Sequence, residues 1–182
     1  LRRARASIVL PGTSMILTHG ARRRIVVGVG SMQLARACPY STALAQWNSA
    51  GEGFELRPTL AGSALLLRPL CTDDLEALYR HASDRLLWAD HPASDRYKRT
   101  VFEQWFDDAL DYGNTLVAVD AQSGNAIGSS RYYLLDSARQ EVAIGFTWLA
   151  RSHWGGATNA AMKQLMLTHA FEQAVGIQTV WF

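Results

Sequence analysis

The segment Trp148–Asn159, WLARSHWGGATN, holds the residues best suited to gripping a ligand. Gly155, Gly156 and Ala157 stand between an apolar run and a helical pattern, AAMKQLMLTHAFEQA. A helix start leaves backbone N–H groups without intrahelical partners, and small residues leave those donors unshielded. The stretch is therefore either a plain turn or a cradle for a phosphorylated ligand, built from Trp148, Leu149, Ser152, His153, Trp154, Gly155, Gly156, Ala157, Thr158 and Asn159. Trp148 and Trp154 read as buried rings, with the backbone of Trp148 facing the ligand. His153 can approach a phosphate, whereas His169, between Leu167 and Phe171, reads as a packed helix histidine. The Asn159 side chain either satisfies a free N–H or reaches the ligand. Glu141 is the nearest carboxylate able to accept a proton, and alternation puts it on one strand face with Ala143 and Gly145. Its competing and favoured reading is a solvated charge at a strand end. Cys38 and Cys71 have neither metal-ligand nor disulfide-framework spacing, so no metal is expected.

The elements that must position these residues begin with ALLLRPL (Ala64–Leu70), a buried strand stopped by Pro69. Thr72 can cap a helix through DDLEALYRHA, and Ser94 or Asp95 a second one through RYKRTVFEQWFDDALDYG. Strands are expected at Asn114–Asp120, Asn125–Leu135 and Glu141–Ala150, joined by AQSGN and DSARQ as an antiparallel meander. A helix from about Gly156 to Ala174 follows, with Ala161, Leu165, Met166, Ala170 and Ala174 on its apolar face. Gly176 ends it, and IQTVWF forms a last strand. A helical crossover predicts that this strand runs parallel to the third of the meander.

The 182 residues, 48% hydrophobic, suit one domain with an appendage. Residues 1–50 hold seven arginines and no lysine or acid, whereas the remainder carries eleven Lys+Arg against sixteen Asp+Glu. Residues 1–55 are read as an Arg-rich segment, disordered or non-native, with Met15 or Met32 as alternative starts; a transit peptide or a nucleic-acid arm competes with that reading. Nucleic acid is the least favoured partner, because arginines alone give only sequence-independent attraction to phosphate. No apolar run approaches a membrane span, so no membrane partner and a cytoplasmic location are expected.

The segments LLLRPL, TDDLEALY, GFTWL, WGGATN and MKQLMLTHAFE, in that order, resemble the GCN5-related N-acetyltransferase (GNAT) superfamily over about residues 59–182. Within it they are most similar to the branch of the ribosomal-protein N-terminal acetyltransferases RimJ and RimL. The resemblance implies an α/β (α+β) domain over 56–182, with a mixed, mostly antiparallel sheet flanked by helices. Acetyl-CoA would lie where the fourth strand of the family fold splays from the fifth, its pyrophosphate on the loop and helix that follow. The family loop reads Gln or Arg, two residues, Gly, one residue, Gly or Ala. Here Ser152 takes the Gln/Arg position and Arg151 falls one residue early, so the glycine half matches and the basic half is displaced. Many relatives carry an acid directly before the Ile-Gly pair, where this chain has Ala143.

The implied reaction is direct attack of a primary amine, a protein N-terminus or a small amine, on the acetyl thioester, with Glu141 as base. The alternative is a catalytically incompetent fragment that at most binds CoA. The family continues past its fifth strand with a helix and closing strands that carry the acid for the departing thiolate, whereas this sequence ends in Val180-Trp181-Phe182. The resemblance thus implies a domain lacking the final helix and strands, with an apolar edge on its last strand through which it can self-associate.

Overall fold

The computed structural model describes residues 24–26, 53–173 and 176–182. The remainder of the Arg-rich segment lies outside the described residues. Seven strands form one sheet: β1 (Arg24–Val26), β2 (Leu60–Ala61), β3 (Leu65–Pro69), β4 (Thr115–Asp120), β5 (Ala126–Asp136), β6 (Glu141–Leu149) and β7 (Thr179–Trp181). Their order is β1-β7-β6-β5-β4-β3-β2. The meander β4-β5-β6 is antiparallel, as the short polar links require, and β7 lies parallel to β6 after the helical crossover. These strands and their pairing agree with the expected mixed fold.

Helices cover both faces. α1 (Leu75–Ala82) and α2 (Arg99–Tyr112) pack on one, α3 (Thr158–Thr168) on the other. In α2, Phe102, Trp105, Phe106 and Ala109 recur at helical spacing and all are buried. They meet Leu78, Trp88, Val117 and Trp148 in one core layer. Across the sheet, Met162 and Met166 of α3 join Leu65, Leu67, Leu116, Tyr132 and Ile144. Because both faces are covered, residues Thr115–Ala118 are buried without alternation.

Several expectations need correction. Thr72 does not cap α1; residues Thr72–Asp74 form a 3-10 turn, and the helix begins at Leu75. The buried Asp74 carboxylate decides this, because it accepts from Cys71 N (3.0 Å) and from both terminal nitrogens of Arg68 (2.8 and 2.6 Å). α2 starts at Arg99, since residues 93–98 are held in turns by Arg96 N donating to Ala93 O and Lys98 N to Asp95 O. On α3 the fully buried residues are Met162 and Met166, with Ala161 and Leu165 only partly covered. The helix also ends earlier and passes into a π turn, His169–Gln173. The expected unpaired edge on the last strand is overturned as well: β1 pairs with it in parallel, Arg24 opposite Thr179 and Val26 opposite Trp181.

Candidate active site

The site forms where β6 loses its neighbour. β7 pairs with Glu141–Ala143 alone, so among the described residues Gly145–Leu149 have a strand partner only on the β5 side. Along this free edge runs a cleft of about 430 Å³, lined by Leu87, Trp88, His91, Thr147, Trp148, Leu149, His153, Trp154, Gly155, Gly156 and Asn159. β6 is also irregular here. Its register against β5 shifts between Ser129 and Arg131, and Phe146 adopts φ 53°. A bulge of this kind bends a strand and re-aims its side chains. Thr147 consequently faces α3, while Trp148 faces the α1/α2 layer.

The end of the cleft at Gly155-Gly156 is built from backbone. Gly155 has φ 69°, a left-handed conformation that other residues adopt at a cost. A Cβ added at Gly155 or Gly156 would meet no atom within 4 Å, so the surface above the loop is open. α3 starts without a side-chain cap on Ala157, and its first intrahelical bond is Ala161 N to Ala157 O (2.8 Å). The donors of that first turn therefore remain for a ligand or solvent, and the helix dipole adds positive potential.

Seven of the ten expected ligand-binding residues line this cleft; Ser152, Ala157 and Thr158 do not. Ser152 Oγ instead lies 3.0 Å from His153 Nδ1. Arg151 points toward Asp84 (3.3 Å), so the displaced basic residue of the loop is engaged in an ion pair. Trp148 is buried as expected. Trp154 is not: it is 53% exposed, and its indole N–H donates back to Leu149 O (2.8 Å). That bond sets its ring over the mouth of the cleft rather than in the core. His169 is buried, with Nδ1 3.2 Å from the Tyr132 hydroxyl, and burial lowers its pKa.

Glu141 does not reach the cleft. It begins β6, roughly 20 Å of strand before Thr147, and accepts a 3.2 Å bond from the Trp181 indole. His91 and His153 line the cleft, and sequence reasoning missed a further titratable group that touches one of its walls through Thr147. Lys163 Nζ donates to Thr147 Oγ1 (2.7 Å), which in turn lies 2.8 Å from Ser130 Oγ. Desolvation pushes the Lys163 ammonium down to about 8. The available signal was its spacing, one helical turn after Asn159 and beside Met162 in an otherwise apolar stretch.

A family model described as "Acetyltransferase (GNAT) domain" matches residues 64–182. The chain belongs to the GNAT acetyltransferase family. Among solved structures, this GNAT domain is similar to a probable GNAT-family acetyltransferase from Chromobacterium violaceum, at 25% identity and TM-score 0.60, over 83% of this chain and 75% of that one. It is also similar in fold to a GCN5-related N-acetyltransferase from Brucella melitensis, at 21% identity and TM-score 0.53, over 64% and 55% of the two chains. A third likeness, at 15% identity and TM-score 0.53 over 64% and 68%, is to a Vibrio cholerae structure described as a ribosomal-protein-serine acetyltransferase. The GNAT domain thus spans about half the length of the Brucella protein. The comparison with curated proteins found no match. Among the described residues no helix is long and apolar enough to cross a membrane.

Proposed function

We propose that this GNAT domain transfers the acetyl group of acetyl-CoA to a primary amine by direct attack. The observation that carries the proposal is the cleft at the unpartnered edge of β6, which ends on the open Gly155-Gly156 loop and the uncapped start of α3. The residues present suit the ligand: backbone N–H groups of 155–159 for the pyrophosphate, and the Trp148–Leu149 edge for the extended arm. Bound acetyl-CoA supplies an acetyl group activated as a thioester. The chain's own contribution is to hold the amine at that edge and remove its proton.

For the proton, the geometry favours Lys163 acting through Thr147. In its neutral form the Lys163 amine takes a proton from the Thr147 hydroxyl as that hydroxyl takes one from the acceptor ammonium. The base expected from the sequence, Glu141, lies outside the cleft, and an E141Q variant that keeps its activity removes it. The acceptor is a protein N-terminal amine, as the resemblance to the ribosomal-protein acetyltransferase branch implies, or a small amine. The competing reading, a CoA-binding fragment without turnover, is separated by thiol release against an amine panel.

The decisive variant is Gly156→Asp. It puts a carboxylate into open space at the cradle, so the melting temperature should hold while acetyl-CoA affinity falls about 10- to 100-fold. Unchanged calorimetric affinity would place the ligand elsewhere.

A further inference from the structure

The chain has two lysines, Lys98 and Lys163, and they stand in opposite settings. Lys98 precedes α2 with its side chain 54% exposed, and its Nζ lies 3.9 Å from an Asp95 carboxylate oxygen. Lys163 is carried by α3 toward the sheet. Its Nζ donates to Thr147 Oγ1 (2.7 Å) and lies 5.0 Å from the centre of the Phe182 ring. Those two contacts locate the amine. β7 stays paired with β6 only as far as Trp181 opposite Ala143, Phe182 is the next residue, and Thr147 is on the stretch of β6 beyond the pairing. The amine therefore bridges the opening between the two strands, and one hydrogen bond separates it from the cleft that Thr147 lines.

The setting favours an amine that reacts. Among the described residues no carboxylate lies within ion-pair distance of Lys163, so no counter-ion holds it as ammonium. Desolvation lowers its pKa to about 8, which leaves about a tenth of it neutral at pH 7. A neutral amine has the lone pair that attacks a carbonyl carbon. The flexible four-carbon stem can shift Nζ from Thr147 Oγ1 toward the cleft without moving the backbone. In the reaction proposed above, the acceptor amine meets the same hydroxyl from the cleft side. Lys163 is thus the chain's own amine beside the place of transfer.

We propose that Lys163 is a site of self-acetylation, a substrate of this domain as well as a proton carrier. It rests on the acetyl-CoA reading of the cleft and adds a form of regulation to it. The neutral Nζ attacks the thioester carbonyl carbon; a C–N bond forms and the C–S bond breaks, the sulfur leaving with the bonding pair. The proton shed by the nitrogen ends on that thiolate, so the products are Nε-acetyl-lysine and CoA thiol. Burial favours the product, because an amide carries no charge to desolvate. The amide also has no basic lone pair, so it cannot take the acceptor's proton through Thr147, and the modified domain loses its relay. An acceptor in the cleft competes for the acetyl group. Modification therefore accumulates when acceptor is scarce.

The test incubates the whole chain with acetyl-CoA and no acceptor, then maps acetyl groups by peptide mass spectrometry. Lys98, outside the cleft lining, is the internal control. Wild type should label Lys163 in about 10-fold or greater excess over Lys98, and the excess should vanish in urea. Gly156→Asp should slow Lys163 labelling about 10-fold or more at sub-saturating acetyl-CoA and leave Lys98 unchanged. Should Gly156→Asp fail to fold, competition by unacetylated CoA supplies the same comparison. No acetyl group on Lys163, equal labelling of the two lysines in the folded chain, or an unchanged rate in the variant overturns the proposal. Thiol release against the amine panel should fall in proportion to Lys163 acetylation, and full turnover by the fully acetylated chain would overturn the regulation. The two readings fail separately. Lys163 labelling with no turnover of any amine rejects transfer to an external acceptor and leaves self-acetylation standing, whereas turnover without labelling rejects self-acetylation alone.

Discussion

Replacing Lys163 by methionine separates the electrostatics of the cleft from its packing. The ammonium, carried by α3 and facing the sheet at Thr147, is taken from an ordinary 10.5 down to about 8 by burial. A lysine lowered in this way weakens the fold while protonated in both states. Between pH 8 and 10.5 the native state releases its proton first and the unfolded chain holds more, so stability rises with pH across that window. At about 1.4 kcal/mol per pKa unit, the full effect is about 3 kcal/mol, of which about 2 kcal/mol is recovered between pH 7 and pH 9.5. Methionine removes the charge and forfeits the 2.7 Å bond to Thr147, a loss of about 1 kcal/mol. Lys163→Met should therefore be about 2 kcal/mol more stable than wild type at pH 7, and within about 1 kcal/mol of it at pH 9.5. Urea midpoints at the two pH values measure this, and taking the difference between variants cancels every other titrating group. A constant difference across the two pH values would refute the buried-ammonium argument. The same substitution should abolish a rise of kcat/KM through about pH 8, which ties the stability and proton-transfer readings to one side chain.

Other substitutions probe the frame around the cleft. Asp74 is desolvated, yet the Arg68 guanidinium and Cys71 N–H hold its carboxyl below the usual range; its contribution is present above the ordinary carboxylate pKa and lost as pH falls through the lowered one. Asp74→Asn should cost about 2 kcal/mol at pH 7 and progressively less under acid, read from urea midpoints. A Cβ on Gly128 would sit 2.2 Å from Trp148 O and 2.9 Å from Leu149 Cα. Gly128→Ala should push β6 outward, losing about 3 kcal/mol together with calorimetric acetyl-CoA binding. Gly155→Ala keeps the space but strains a φ of 69°, so about 1 kcal/mol should be lost in thermal unfolding with the cleft intact.

Most of the fold was legible because it rests on local patterns. The meander follows from three apolar runs joined by AQSGN and DSARQ, and α2 from the stripe Val101, Phe102, Trp105, Phe106 and Leu110, closed by Gly113 at φ 71°, of which Phe102, Trp105 and Phe106 are buried. The glycine loop was legible too, since small residues before a helix have the same meaning in any tertiary context. Element starts were less so, because Thr72, Ser94 and Asp95 are all good caps by type. The buried Arg68–Asp74 pair and the turns over 93–98 chose otherwise.

By itself, then, the sequence determined the order of elements from β3 onward, the parallel return of the last strand and the open Gly155-Gly156 turn ahead of α3. Tertiary structure decided which ionisable groups meet. Lys163 reaches Thr147 because the fold packs α3 on the sheet face to which Thr147 points, and Glu141 is left at the far end of the same strand. The physical reason is range. Periodicity and turn chemistry act over a few residues, whereas desolvation and charge pairing depend on what the folded chain brings to the other side of the sheet.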